Sequence, residues 1–337
     1  IGVGADALGM ANAVVAQTNN VNSGYWNPAG LIGVNKWLDV GLMHAEFFAG
    51  IAKYDYLGLA HRIDDRSSLG FSVLRFAVDD IPNTTQLIDN LGNIDYDRIT
   101  TFTAADYAFL LSYARKTKIE GLNVGGNFKV IYRQIGDFAK SYGFGLDAGA
   151  QYHIKNKWKF GLVARDVTST FNAWSFSFTD REKEALYLSQ NEIPVRSTEM
   201  TAPRLSLGGC YRFVINDKIN LQPEANLDLT FDGKRNTLIA SKAVSIDPRV
   251  GLEAGYKGML FVRAGINNFQ RALADADTLN QKKVWIYQPG LGVGFKVKNV
   301  EVDYAFTNLA NQSNPLYTHI FSLKLNLTKN TGYNSPY

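Results

Sequence analysis

Cysteine is almost missing from this chain. Cys210 is the only one in 337 residues, which excludes an intrachain disulfide framework and a cysteine-rich zinc site. Histidine is scarce as well: His44, His61, His153 and His319 lie far apart, and none has the spacing of a metal-binding pair. Neither charge sign dominates. The 35 Lys and Arg nearly balance the 31 Asp and Glu, for a net +4 without a basic block, so nucleic acid has little support as a partner. Long apolar runs are missing too. The best candidate, Ala104 to Ala114, is interrupted by Asp106 and Ser112, well short of the ~18 residues of a transmembrane helix. That absence does not exclude a membrane, because a closed β-barrel satisfies its backbone without any such run. No Gly-x-Ser-x-Gly nucleophile motif is present. No catalytic, cofactor or metal site is expected. Asp89, Asn93, Asp95 and Asp97 could gather around Ca²⁺ but lack the EF-hand register, so a solvated loop is the better reading.

What the chain has is aromatics (12%), 30 glycines, and alternation with period two along nearly its whole length. From Leu221 to Phe231 the odd positions Leu221, Pro223, Ala225, Leu227, Leu229 and Phe231 are apolar, while Gln222, Glu224, Asn226, Asp228 and Thr230 oppose them. Tyr142 to His153 and Trp285 to Lys298 behave alike. A soluble sandwich would also alternate, but its strands average nearer six residues, and these segments run about 10 to 14. Aromatics near the ends of the apolar faces fit an interfacial girdle. The fold expected is all-β: a transmembrane antiparallel barrel of about 14 strands, within residues 35–337. Connections alternate between short polar turns, such as 63–67, 116–121 and 215–219, and mostly longer loops at 82–101, 178–200, 232–243, 270–282 and 309–314. That segregation suits an outer-membrane barrel with both termini periplasmic. Thr179-Asp180-Arg181-Glu182 has capping-box spacing before a short helix, and Thr84 to Asn90 before Gly92 reads as another.

Residues 1–34 differ. They are rich in Gly, Ala and Asn, do not alternate, and are too polar to face lipid, so they are expected in the lumen as a plug. With the polar faces inward, the lumen receives both charge signs, including Lys129, Arg133, Asp147, Arg165, Arg204, Arg212, Glu224, Asp228, Arg249, Arg263, Glu301, Asp303 and Lys324. An ion path is one reading. A salt-bridged interior that holds barrel and plug rigid is favoured, because neither sign prevails. Gly290, Gly292 and Gly294 sit inside an alternating strand and are read as relief of crowding, not as a nucleotide loop.

The most specific stretch runs Gly4-Ala5-Asp6-Ala7-Leu8-Gly9-Met10, then Gly24-Tyr25-Trp26-Asn27-Pro28-Ala29-Gly30-Leu31. It resembles the FadL-like superfamily of outer-membrane barrels, and within it looks most like the PorV/PorQ branch of the type IX secretion system. Physically, Pro28 fixes its own φ and pushes Asn27 extended, while Tyr25 and Trp26 can wedge the segment against the wall. Tyr25, Trp26, Asn27, Pro28, Ala29 and Gly30 are therefore the expected hatch residues. The branch resemblance implies binding to a secretion translocon barrel and to secreted cargo, alongside outer-membrane lipid or lipopolysaccharide. The superfamily implies the alternative, passage of hydrophobic small molecules through a gated lumen. The densely charged lumen favours the first. So does an aromatic face, Trp174, Phe176 and Phe178, that continues past the membrane edge and reads as a partner-binding surface in the extracellular loops.

Overall fold

The computed structural model describes residues 2–88, 93–155, 157–188, 190, 192, 194, 197–273, 283–308 and 317–328. Long alternating segments cannot bury one face in so thin a core unless the sheet closes, and it does. Eighteen hydrogen-bonded segments form one antiparallel sheet. Its ends meet where Leu38–Phe47 pairs with Tyr317–Leu327, Leu42 lying opposite Leu323. Four of the segments are not separate staves. Thr170–Phe176 continues Trp158–Arg165, while Ser197–Thr201 and Phe213–Val214 flank Arg204–Tyr211. Ile239–Ala240 is a two-residue ribbon within a loop. The remainder make a closed barrel of 14 staves.

The outward face explains the apolar half of the alternation. Direct cross-strand neighbours on the first four staves form the rows Val40, Leu59, Phe71, Leu111 and Leu42, Leu57, Val73, Phe109. Most of these side chains are exposed. So continuous an apolar belt is tolerable only against hydrocarbon. Connections at one end of the barrel are tight turns, and those at the other include the long loops. Leu38 pairs with Leu327, so the first stave begins and the last ends at the short-turn end.

The loop helix expected after Thr179 is present as Asp180–Leu188, with Glu182 N–H donating to Thr179 Oγ1 at 3.3 Å and Thr179 N–H donating to Glu182 Oε2 at 2.7 Å. The other expected helix is not. Residues 84–88 form a turn and an isolated bridge, Ile88 to Ile94, and the helical turn comes later at Tyr96–Arg98. Residues 89–92 lie outside the described residues, as do 274–282 and 309–316 where two long loops were expected.

The seventh stave breaks between Arg165 and Thr170. Asp166 and Ser169 both take positive φ, near 54° and 55°. Lys129 Nζ stitches the break, sitting 2.7 Å from Asp147 and 2.5 Å from Asp166. Before the break Gly161 and Val163 point inward; after it Thr170, Asn172 and Trp174 do, so the side-chain parity flips.

Candidate functional site

Residues 2–34 fill the short-turn half of the lumen as a compact hatch. Ala5–Gly9 and Ser23–Trp26 are short helices, followed by a 3₁₀ segment over Pro28–Gly33. Asn27 is extended (φ −156°, ψ 105°) and its side chain accepts from Ala29 N–H at 3.2 Å, as a residue before proline favours. Trp26 is buried, its Nε1–H donating to Val3 O at 2.8 Å, while half-buried Tyr25 carries the Arg165 guanidinium 4.8 Å over its ring. Pro28, Ala29 and Gly30 are buried against the wall.

The hatch backbone lies directly on wall glycines. A Cβ added to Gly125 would stand 2.6 Å from Pro28 C, one on Gly161 2.4 Å from Val15 O, and one on Gly265 2.4 Å from Met10 O. Gly290 and Gly292 receive Leu8 O and Gly9 Cα, whereas Gly294 makes room for Asp303 and Arg263. The crowding relieved by those three glycines is thus partly that of the hatch itself.

Polar wall residues close the seam. Glu224, fully buried, accepts from Ala16 N–H at 2.7 Å and from Gln17 N–H at 3.0 Å. Amide side chains donate to hatch carbonyls: Gln151 to Thr18 O (2.8 Å), Asn127 to Gly24 O (2.8 Å) and Asn267 to Ala11 O (2.9 Å). Asp6 joins the wall charges through Lys324 Nζ at 2.7 Å, and that ammonium also meets Glu301 at 2.8 Å and Asp303 at 3.1 Å. Arg263 bridges Glu253 and Asp303, each at 2.6 Å. Burial alone would raise the Asp6 carboxyl pKa, but the Lys324 and Arg263 cations override it and hold it at about 2. Five of the inward charges expected from the sequence, Glu224, Arg263, Glu301, Asp303 and Lys324, are in this network. Arg212 is not: it falls at an irregularity beyond Tyr211 and is exposed. Asp6, Gln151, Asn127 and Asn267 were not singled out from the sequence. Their only signal was inward parity, and in Asp6 a lone acid in an otherwise neutral segment.

Toward the long loops the lumen is apolar on one side. Phe47, Tyr54 and Phe76 form a mutual edge-to-face trio with centroids 6.2 to 6.5 Å apart, packed in one cluster with hatch residues Tyr25 and Trp26. Opposite them, Trp174, Phe176 and Phe178 stack in sequence at 6.2 Å, and Phe138 continues the ladder at 6.0 Å. Trp174 is only 7% exposed and lies under Arg133 at 4.9 Å, with Phe176 and Phe178 half-buried. The sequence suggested a face standing clear of the membrane; the parity flip at Asp166–Ser169 turns Trp174 inward.

No family model and no curated protein matches the sequence. Solved structures do match. The CymD monoaromatic hydrocarbon channel superposes with a TM-score of 0.62 at 13% identity, over 97% of this chain and 98% of that one. The Ralstonia pickettii toluene transporter TbuX gives 0.57 at 12% identity over 97% and 98%. A Pseudomonas aeruginosa FadL homologue gives 0.53 at 12% identity over 96% and 97%. The chain has the FadL-like barrel fold. At such identities the likeness is one of architecture, and it extends over 96–97% of the chain.

Proposed function

We propose that this protein is an outer-membrane channel for small hydrophobic molecules. The observation that carries the reading is the aromatic inner surface of Phe47, Tyr54 and Phe76, which abuts the hatch residues Tyr25 and Trp26. Such a surface above the charged hatch seam offers an apolar solute a route from the long-loop end down to a gate. The resemblance in fold to a hydrocarbon channel and a toluene transporter supports it. The test is uptake of radiolabelled toluene by proteoliposomes bearing the whole protein. Saturable uptake that falls on Phe76→Ala supports the reading; uptake no faster than through protein-free vesicles removes it.

A second reading, a type IX secretion component that binds the translocon or cargo, draws on one feature: the hatch is fastened by an ionic latch and at least four wall side chains, as befits a barrel that never opens. On that reading toluene uptake is absent, and partner proteins co-purify through the loops that hold Phe176 and Phe178.

A further inference from the structure

The near balance of charge in this chain hides a segregation between the two ends of the barrel. The six tight turns with their shoulders, residues 62–66, 115–121, 155–157, 212–218, 257–258 and 296–299, hold 12 Lys and Arg against 4 Asp and Glu. The rest of the chain is net acidic, 23 against 27. Five of the six turns are net basic, and in the other two arginines meet two aspartates. The turns join alternate pairs of staves, so their cations form a ring around the short-turn end. Within the ring Arg62 pairs with Asp65, and Lys296 with Glu301 at 3.2 Å. The other ten cations are exposed and make no ion pair with any described residue.

Neighbouring aromatics set the depth of this ring. Tyr113, Tyr152, Trp158, Tyr256 and Phe295 stand beside the turns on the outward face, each 40–49% exposed. Trp158 packs edge-on to Tyr211 at 4.5 Å, and Tyr211 to Phe213 at the same separation. Such a belt marks the boundary between hydrocarbon and headgroups. Arg115 follows Tyr113 on the same outward face, and Lys257 Nζ sits 5.4 Å over the Tyr256 ring. The cations therefore begin where the aromatic belt ends, at the depth of the lipid phosphates, with alkyl stems that can lie along the belt.

We propose that the short-turn end selects anionic glycerophospholipids as its surrounding lipids. A cation without a protein partner at this depth is attracted to an anionic leaflet, and the attraction accumulates over the ring. A closed ring meets a leaflet on every side, whereas a protein partner would need the cations gathered on one. Short turns of bacterial barrels face the periplasm, where the adjoining leaflet is phospholipid, so the ring fits phosphatidylglycerol and not the lipid A of the opposite leaflet. The inference rests on the barrel fold and not on which solutes the lumen passes.

The probe is nitroxide-labelled phosphatidylglycerol, compared with labelled phosphatidylcholine in phosphatidylcholine bilayers that hold the whole protein. The spectrum separates lipid at the barrel surface from free lipid. Phosphatidylglycerol should associate about fivefold more strongly at ~10 mM salt, where the Debye length is about 30 Å, and less than about twofold more strongly at ~1 M, where it is about 3 Å. Replacing four exposed lysines on two neighbouring turns, Lys116→Gln, Lys118→Gln, Lys155→Gln and Lys157→Gln, should cut the low-salt preference to about half or less. Lys234→Gln with Lys242→Gln removes two exposed cations from a long loop and should leave it unchanged. Heat-modifiable gel migration confirms that each variant is folded. Equal association of the two lipids overturns the proposal, and is the result expected of a ring built for an acidic protein. A preference indifferent to salt or to the four substitutions overturns it as well, as does tighter association of labelled lipid A than of phosphatidylglycerol.

Discussion

Substituting Gly161 and Gly265 by valine should unseat the hatch. Each new Cβ would lie about 2.4 Å from hatch backbone, against Val15 O in one case and Met10 C and O in the other. Ordinary carbon contacts need about 3.5 Å, so the hatch must retreat by roughly 1 Å at two points where rigid backbone, not a flexible side chain, is in the way. Overpacking of this kind costs about 1–3 kcal/mol per site. The two sites press on different hatch residues, so the costs should add to about 4 kcal/mol. At 1.4 kcal/mol per decade that multiplies the displaced-to-seated ratio roughly a thousandfold. Neither glycine has a positive φ, so the strands themselves accept valine. Gly209 supplies the control: it lies beside Gly208 on the same strand, faces outward, and an added Cβ would meet nothing nearer than Phe160 at 3.9 Å. In planar bilayers the wild type and Gly209→Val should conduct little, and Gly161→Val/Gly265→Val should conduct far more. A double variant that folds, as judged by heat-modifiable migration, yet stays as closed as the wild type would refute the seating described here.

Three further outcomes follow from the same geometry. Glu224→Leu leaves the Ala16 and Gln17 amides without their acceptor, at a cost of about 2 kcal/mol or more, so hydrogen exchange at these two amides should quicken about thirtyfold; unchanged exchange would show that the carboxylate does not hold the hatch. The Asp6 carboxyl has its pKa depressed from 3.8 to about 2, so its latch contributes fully above pH 3.8 and is lost as pH falls toward 2; the protection of hatch amides relative to their intrinsic exchange should be flat across neutral pH and fall in that acid window, a fall absent in Asp6→Asn. Trp174→Ala empties a buried site under Arg133, so it should destabilise the barrel to denaturant by about 3 kcal/mol, whereas a residue serving only as an outer docking surface would leave stability unchanged.

Much of the barrel was legible because period-two alternation is a local property: Leu227 against Asp228 says which way each points before any partner strand is known. The hatch was legible for the opposite reason, since Ile1 to Val34 cannot alternate and cannot face lipid. The anchoring was not. Lys324 and Asp6 are 318 positions apart, and nothing in either neighbourhood marks them as partners. Glu224 looked like one inward acid among several, although it alone accepts from the two hatch amides of Ala16 and Gln17. The orientation of Trp174 depended on a break that alternation cannot reveal. Two positive-φ residues, neither of them glycine, reverse the parity within a segment that otherwise scans as one strand.

The most direct measurement is mass spectrometry of the protein extracted from native outer membranes in mild detergent, with small molecules and proteins analysed from the same preparation. A channel for small hydrophobic molecules predicts apolar compounds retained with the barrel, reduced on Phe76→Ala, and no partner protein in fixed proportion. Stoichiometric recovery of a large translocon barrel, with no apolar compound bound, would contradict it.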